Sequence, residues 1–232
     1  MDSITSPSQA TLDMAPELDL ISDLRGGTST MRKAGQRWLP REPAESWTAW
    51  RARLNRSVLF NGLSRAIQAL SGRPFHEAIQ LEGGHETLQG LVKNCNGQGG
   101  SLQEFARQLL ISLLSDGVVH IQLDRPQDGG APYFILRTSS SVIGARCDEA
   151  QKLTQMRLRQ TICRPKGRFE EEQVETVRLY TKEGWEVWHG PPHLNSPSSL
   201  RSVGQWKGSA DGRHSLGEVP FITLIVIPTG FM

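Results

Sequence analysis

Between Ser46 and Phe75 the apolar residues recur at three- and four-residue steps: Trp47, Trp50, Leu54 and Val58, then Phe60, Leu63, Ile67 and Leu70. That spacing predicts one long amphipathic helix. About 25 residues at 1.5 Å each would span about 37 Å, long for a small domain. Ser46 is a fitting N-cap, and Gly72 followed by Pro74 is a stop signal. The polar side carries Arg51, Arg53, Arg56 and Arg65, with no acidic residue in the segment. The stretch over 46–71 is therefore expected to be a structural spine. Trp50, Leu54, Leu63 and Ile67 form its buried stripe, and the arginines are candidate contacts to nucleic acid or an acidic protein surface.

Upstream, residues 1–15 are rich in Ser, Thr and Pro and are expected to form a flexible tail. Pro16 is placed to open a helix whose inward residues are Leu18, Leu20, Ile21 and Leu24. Gly26 and Gly27 interrupt it, a basic segment runs from Met31 to Trp38, and Leu39-Pro40 ends that piece. Downstream, a short helical patch over Thr87 to Lys93 gives way to the glycine-rich break Asn94 to Gly100. Ser101 with Glu104 matches a capping box, and Leu102, Phe105, Leu109, Leu110 and Leu113 give the next helix its stripe. Asp116-Gly117 ends it.

From there the period changes from 3.6 to 2. Strands are expected over Val118 to Leu123, Pro132 to Arg137, Leu153 to Cys163, Gln173 to Thr181 and Trp185 to Trp188. Arg164 to Arg168 reads as a hairpin loop and residues 189–217 as a long surface loop. The apolar run from Val219 to Ile227 reads as a buried strand. The fold class expected is α+β: N-terminal long helices over 16–117, packed on an antiparallel β-rich module over 118–232. The apolar run so close to Met232 suggests that this module is truncated at its C-terminal end.

The chain of 232 residues is ordinary in composition, with 37% hydrophobic and 22% charged residues. No apolar run reaches membrane-spanning length, and the N-terminus lacks the basic and apolar regions of a secretory signal. Three widely spaced cysteines argue against a disulfide framework and fit a reducing compartment. The Asn55-Arg56-Ser57 sequon then carries no meaning. Net charge is only +2, but residues 25–75 hold ten cations against two carboxylates, or +8. Residues 76–232 sum to −1. The basic face is either simply solvated or meets phosphate or carboxylate. Few aromatic residues are placed to stack on bases, so the pattern gives no sign of sequence readout.

Candidate chemistry is sparse. His189 and His193 have a four-residue spacing, but Gly190-Pro191-Pro192 between them rules out presentation on one helix. There is no Cys-x-x-Cys, the glycines from Gly97 to Gly100 lack the Lys-Ser/Thr of a phosphate loop, and no Gly-x-Ser-x-Gly elbow occurs. Asp148-Glu149 and Glu170 to Glu172 lie in or beside turns. Asp124, at a strand end, is the one carboxylate placed where an active site could sit, and it has no nameable partner. The expectation is a protein that is not an enzyme and has no catalytic residues, cofactor or metal.

The order of segments adds a resemblance. Leu24-Arg25-Gly26-Gly27, Met31 to Gly35 and Trp38-Leu39-Pro40 precede Trp50 to Ser57 and Asn61. Then come Leu70 to Phe75, Ser101 to Ala106, Gly117, Asp124-Arg125-Pro126, Ala131-Pro132-Tyr133, Leu153-Thr154 and Leu216 to Phe221. Taken in this order over residues 16–232, the series resembles the N-terminal part of tailed-bacteriophage portal proteins. The resemblance implies a peripheral wing of helices on a β-rich module, in a homo-oligomeric ring, usually a dodecamer, at one vertex of the capsid. It implies a structural role in head assembly and in the conduit for double-stranded DNA packaging and ejection, with ATP hydrolysis left to a separate terminase. Implied partners are other portal subunits, major capsid and scaffolding proteins, terminase and neck proteins through regions that are missing here, and DNA passing without sequence recognition, with no membrane. The implied location is the virion, after assembly in the bacterial cytoplasm. Stem, clip and crown normally follow the wing. The expectation is thus a truncated form, a prophage remnant or one piece of a split portal. The alternative is a stand-alone nucleic-acid-binding or adaptor protein using the basic 25–75 region.

Overall fold

The computed structural model of the chain describes residues 3–126, 128–192 and 206–226. Helices come first and strands follow, an α+β arrangement with two antiparallel sheets. The helices are α1 (Gln9–Arg25), α2 (Gly27–Ala34), α3 (Trp47–Arg56), α4 (Gly62–Gly72), α5 (Glu86–Lys93) and α6 (Leu102–Asp116). The strands are β1 (Val118–Asp124), β2 (Tyr133–Thr138), β3 (Val142–Cys147), β4 (Leu153–Lys166), β5 (Glu170–Thr181), β6 (Gly184–Pro192), β7 (Lys207–Arg213) and β8 (Phe221–Ile225). Two compact units divide the chain. One holds Met1–Met14, His120–Arg125 and Phe134–Thr223; the other holds Ala15–Val119, Pro126–Tyr133 and Leu224–Met232. The helical unit gives way to the strand-rich one inside β1, between Val119 and His120, and the first residues go with the strands.

In the mainly helical unit the expected spine is two helices, not one. Ser46 caps α3 as expected, its hydroxyl accepting from the Ala49 amide at 3.2 Å. The backbone then turns extended at Ser57 (φ −65°, ψ 139°), and α4 starts afresh after Asn61, whose side-chain oxygen accepts from the Ser64 amide at 3.0 Å. A second cap within the segment competes with helix continuation, and the apolar period alone is blind to that competition. The break also splits the apolar stripe. Trp50 and Ile67 are buried and Leu54 and Leu63 half-buried, but Trp47, Val58, Phe60 and Leu70 are exposed. Helix α4 packs on α6. Helix α6 has its full capping box at Ser101 and Glu104 and ends at Gly117 in the left-handed conformation (φ 72°).

The expected flexible tail is ordered from Ser3 onward. Ser8 caps α1 by accepting from the Thr11 amide at 3.3 Å, and its own amide donates to the Ile143 carbonyl at 2.8 Å. Pro16 lies inside α1 instead of opening it.

The strand-rich unit is built on the five-stranded order β3-β4-β5-β6-β7, each neighbour antiparallel. A three-stranded sheet has the order β2-β1-β8. Alternation along β4 and β5 puts Met156, Leu158, Thr176 and Tyr180 on one face, all buried. Val142 and Val219 join Met156, Leu158 and Tyr180 in the core, with Phe221 packed edge-on against Tyr180 at 5.1 Å between ring centroids. Two strands were not expected. β3 is short and follows a serine turn, and β7 falls in the segment read as the 189–217 loop, of which 193–205 lie outside the described residues. β8 occurs where the apolar run predicts it, but Ile222 and Ile225 are 57% and 61% exposed, so it is not buried throughout.

His120 in β1 is buried and hydrogen-bonds Thr223 Oγ1 through Nδ1 at 2.9 Å. Burial holds its pKa below the usual imidazole value, and His189 is shifted the same way by burial, then by Arg164 and Arg178. An imidazole that resists protonation in the fold gives stability that is complete above about pH 6.5 and is lost as pH falls toward the folded value. Melting temperature should therefore drop between about pH 7.5 and about pH 5.5, and His120→Gln should flatten part of that slope in calorimetry. The cysteines provide a second check. Cys95 is buried and burial raises its thiol pKa, while Cys147 and Cys163 are exposed. A thiol reagent should label Cys147 and Cys163 in the native protein and reach Cys95 only on unfolding.

Candidate functional site

The basic segment is the best candidate, and its arginines divide by what they touch. Arg53 donates to both carboxylate oxygens of Glu45, at 2.9 and 2.7 Å, and to the Pro40 carbonyl at 2.9 Å. This two-pronged pair ties α3 to the segment before it, and the bond from Arg53 holds the Glu45 carboxyl below its usual range. Arg41 adds a bond to the Glu45 carbonyl and lies over the Trp47 ring at 5.1 Å. The buried Trp50 donates its indole N–H to the Leu39 carbonyl at 2.9 Å. Arg53 is thus a structural clamp and not a free contact residue.

Arg51, Arg56 and Arg65 are exposed. Arg56 turns back to the Ala52 carbonyl at 3.2 Å, and Arg65 lies over the exposed Phe60 ring at 5.1 Å. Because the helix phase restarts after residue 61, the four arginines do not share one continuous helical face. What the structure brings together instead is an exposed group of mixed character: Val58 (77% exposed) and Phe60 (76%) in the α3–α4 connection, with Arg56 just before them and Arg65 just after.

That connection is pinned from below. Arg32 donates to the Ser57 carbonyl through Nε at 2.9 Å and Nη2 at 2.6 Å. Thr28 Oγ1 accepts from the Leu59 amide at 3.1 Å, and Asn61 Nδ2 donates to the Leu24 carbonyl at 2.7 Å. A cavity of about 140 Å³ lies beside it, lined among others by Met31, Trp38, Leu39, Leu54 and Leu59. Periodicity missed all of these anchoring residues. The signal that could have found them is the Asn61-Gly62 dipeptide after Ser57, a cap pair in the middle of the apolar stripe.

Asp124 ends β1 and accepts from the Arg125 amide at 2.8 Å and from Gln122 Nε2 at 3.4 Å. The buried Gln122 also donates to Tyr180 Oη at 3.0 Å and accepts from Arg137 Nε at 2.9 Å. Arg137 in turn reaches Gln160 at 3.5 Å. Every one of these groups is a hydrogen-bond partner of another, which suits a structural network. Among the described residues no group of three His, Cys, Asp or Glu side chains could hold a metal ion. His189 bonds Thr176 Oγ1 at 3.1 Å and Arg164, while His193 lies outside the described residues.

Compared with known proteins, the sequence matches no family model and no curated protein. No described helix is long and apolar enough to cross a membrane.

Three substitutions separate the roles of the segment. Ile67→Asp should abolish cooperative unfolding of the helical unit, since it buries an unpartnered charge. Arg53→Ala should lower the melting temperature by breaking the Glu45 clamp, and Arg51→Ala should leave it unchanged. Thermal melts followed by circular dichroism give the comparison.

Proposed function

We propose that the chain is a structural subunit of a tailed-phage portal ring, seated at one vertex of the capsid and serving head assembly and DNA passage. The observation that carries this is the exposed apolar set on the helical unit: Trp47, Val58, Phe60 and Leu70, interspersed with Arg51, Arg56 and Arg65. Val58 and Phe60 are three-quarters exposed and Trp47 and Leu70 about half, and apolar side chains gathered at a surface mark a partner-binding face. The α+β composition agrees with helices joined to a β-rich wing, as does the ordered series of segments from Leu24-Arg25-Gly26-Gly27 to Leu216 through Phe221. Partners on this basis are copies of the same chain, capsid and scaffolding proteins, terminase and neck proteins, and double-stranded DNA held without sequence recognition.

Negative-stain microscopy of the purified chain, with and without the scaffolding and capsid proteins of its genome, is the direct test. Closed rings are expected, and Phe60→Ser with Val58→Ser should reduce them while leaving the melting curve intact. A monomer that forms no ring under any of these conditions, and binds duplex DNA with an affinity that falls steeply with salt, would overturn the portal assignment. That outcome would favour a stand-alone nucleic-acid-binding protein.

A further inference from the structure

In the strand-rich unit one cation has nothing within the chain to answer it. Arg178 lies on β5 opposite Leu158 of β4 and Val187 of β6, on the face that also carries Thr176 and Tyr180. Leu158 and Val187 are buried, and Arg178 itself is half-buried. Its Nε is fully enclosed without an acceptor, and the guanidinium makes no hydrogen bond or ion pair with any described residue. A guanidinium stays charged at every accessible pH, so the fold holds a partly desolvated cation and an orphaned donor together. Both are costly until an acceptor of opposite charge meets them.

The surroundings are basic as well. Thr176, two positions back on the same face, stands opposite Gln160 on β4 and His189 on β6. Arg137 reaches Gln160 Oε1 at 3.5 Å, Arg164 hydrogen-bonds His189 Nε2, and Lys207 of β7 stands opposite His189. Arg164 can only donate, so His189 Nε2 accepts; Nδ1 then carries the proton and donates to Thr176 Oγ1 at 3.1 Å. His189 is therefore neutral, and burial, followed by Arg164 and Arg178, holds its pKa down. The nearby carboxylates are committed elsewhere. Glu175 and Glu186 alternate onto the opposite face, where Glu175 meets Arg159 at 3.0 Å and Glu186 accepts from Trp188 Nε1 at 2.9 Å. Glu172 shares the face but stands opposite Arg164, six residues from Arg178, or about 20 Å at 3.3 Å per residue.

We propose that this face of the five-stranded sheet is an oxyanion site, in which Arg178 takes a phosphate or carboxylate group on its guanidinium fork. Nε and one Nη donate in parallel to two oxygens of such a group, which supplies the acceptor and the negative charge together. Arg164 and Lys207 add attraction from the β4 and β7 sides. Neutral His189 serves the site by holding Arg164 without adding a further positive charge. The site lies wholly within the strand-rich unit and does not rest on the ring reading, so either can fail alone.

Isothermal titration calorimetry of the full chain with inorganic phosphate and with acetate, at ionic strength held constant with sodium chloride, tests this. Saturable one-to-one binding is expected, and Arg178→Met should weaken it about tenfold or more. Arg178→Lys keeps the charge without the fork and should recover only part of the affinity. Arg168→Met, at the exposed tip of the β4–β5 hairpin, should bind like wild type. Tighter phosphate assigns the site to a phosphate group, and tighter acetate assigns it to a carboxylate. Thermal melts give a second readout. Without either anion Arg178→Met should melt no lower than wild type, because it removes a donor that has no acceptor. Phosphate should raise the melting temperature of wild type and leave that of Arg178→Met unchanged. Absence of saturable binding by either anion overturns the site, as does an Arg178→Met variant that binds as tightly as wild type. An Arg178→Met variant that melts well below wild type without added anion also overturns it, since Arg178 would then be satisfied within the chain.

Discussion

One side-chain amide does more than any other group to define the strand-rich unit. Gln122 is almost wholly buried in β1, and its nitrogen and oxygen reach Tyr180 on β5 and Arg137 on β2, with Arg137 continuing to Gln160 on β4. Apolar packing around Met156, Leu158 and Tyr180 brings the two sheets together without fixing their registration. A buried amide whose donors and acceptor must all be met does fix it, since a slip of one residue would leave them unpaired at a cost of about 1–3 kcal/mol per group. The same requirement accounts for Asp124, which sits beside this network as a terminal acceptor.

The helical unit relies on a different kind of constraint. Its connection at residues 57–61 is held by two of its backbone groups bonding side chains from earlier in the chain, the Ser57 carbonyl to Arg32 and the Leu59 amide to Thr28, and by its own Asn61 side chain donating to the Leu24 carbonyl. Burying Trp50 on one side of the break and Ile67 on the other then sets the two helices independently. Exposure of Val58 and Phe60 follows from this geometry, because a continuous helix would have carried them into the stripe with Leu54 and Leu63.

The sequence discloses these features unevenly. Local chemistry was readable: the Ser101–Glu104 box, the Gly117 stop, the alternation through β4 and β5 and the α+β order of elements all follow from residues within a few positions of each other. Elements that depend on distant partners were not. The tail over 3–8 is ordered by Ile143 and Arg157, β3 by its pairing with β4, and β7, with its Gly, Ser and Asp, by β6. For the basic segment, composition revealed the excess of arginine but not its division of labour. Arg53 is distinguished from Arg51 by Glu45, which precedes the Ser46 cap and so lies outside the helix whose period the sequence reveals.

The Asn61 side chain carries one more consequence, for chemical ageing. An Asn-Gly pair is the dipeptide most prone to cyclise, through attack of the glycine amide on the asparagine side chain. Here the Gly62 amide is occupied by the Phe60 carbonyl at 2.9 Å, and both ends of the Asn61 amide are engaged, by Ser64 and by Leu24. The folded chain thus shields a side-chain amide that an unfolded chain would lose readily. Where the reaction does occur, a carboxylate would face the Leu24 carbonyl in place of a donor, and the clasp between the first and fourth helices would turn repulsive.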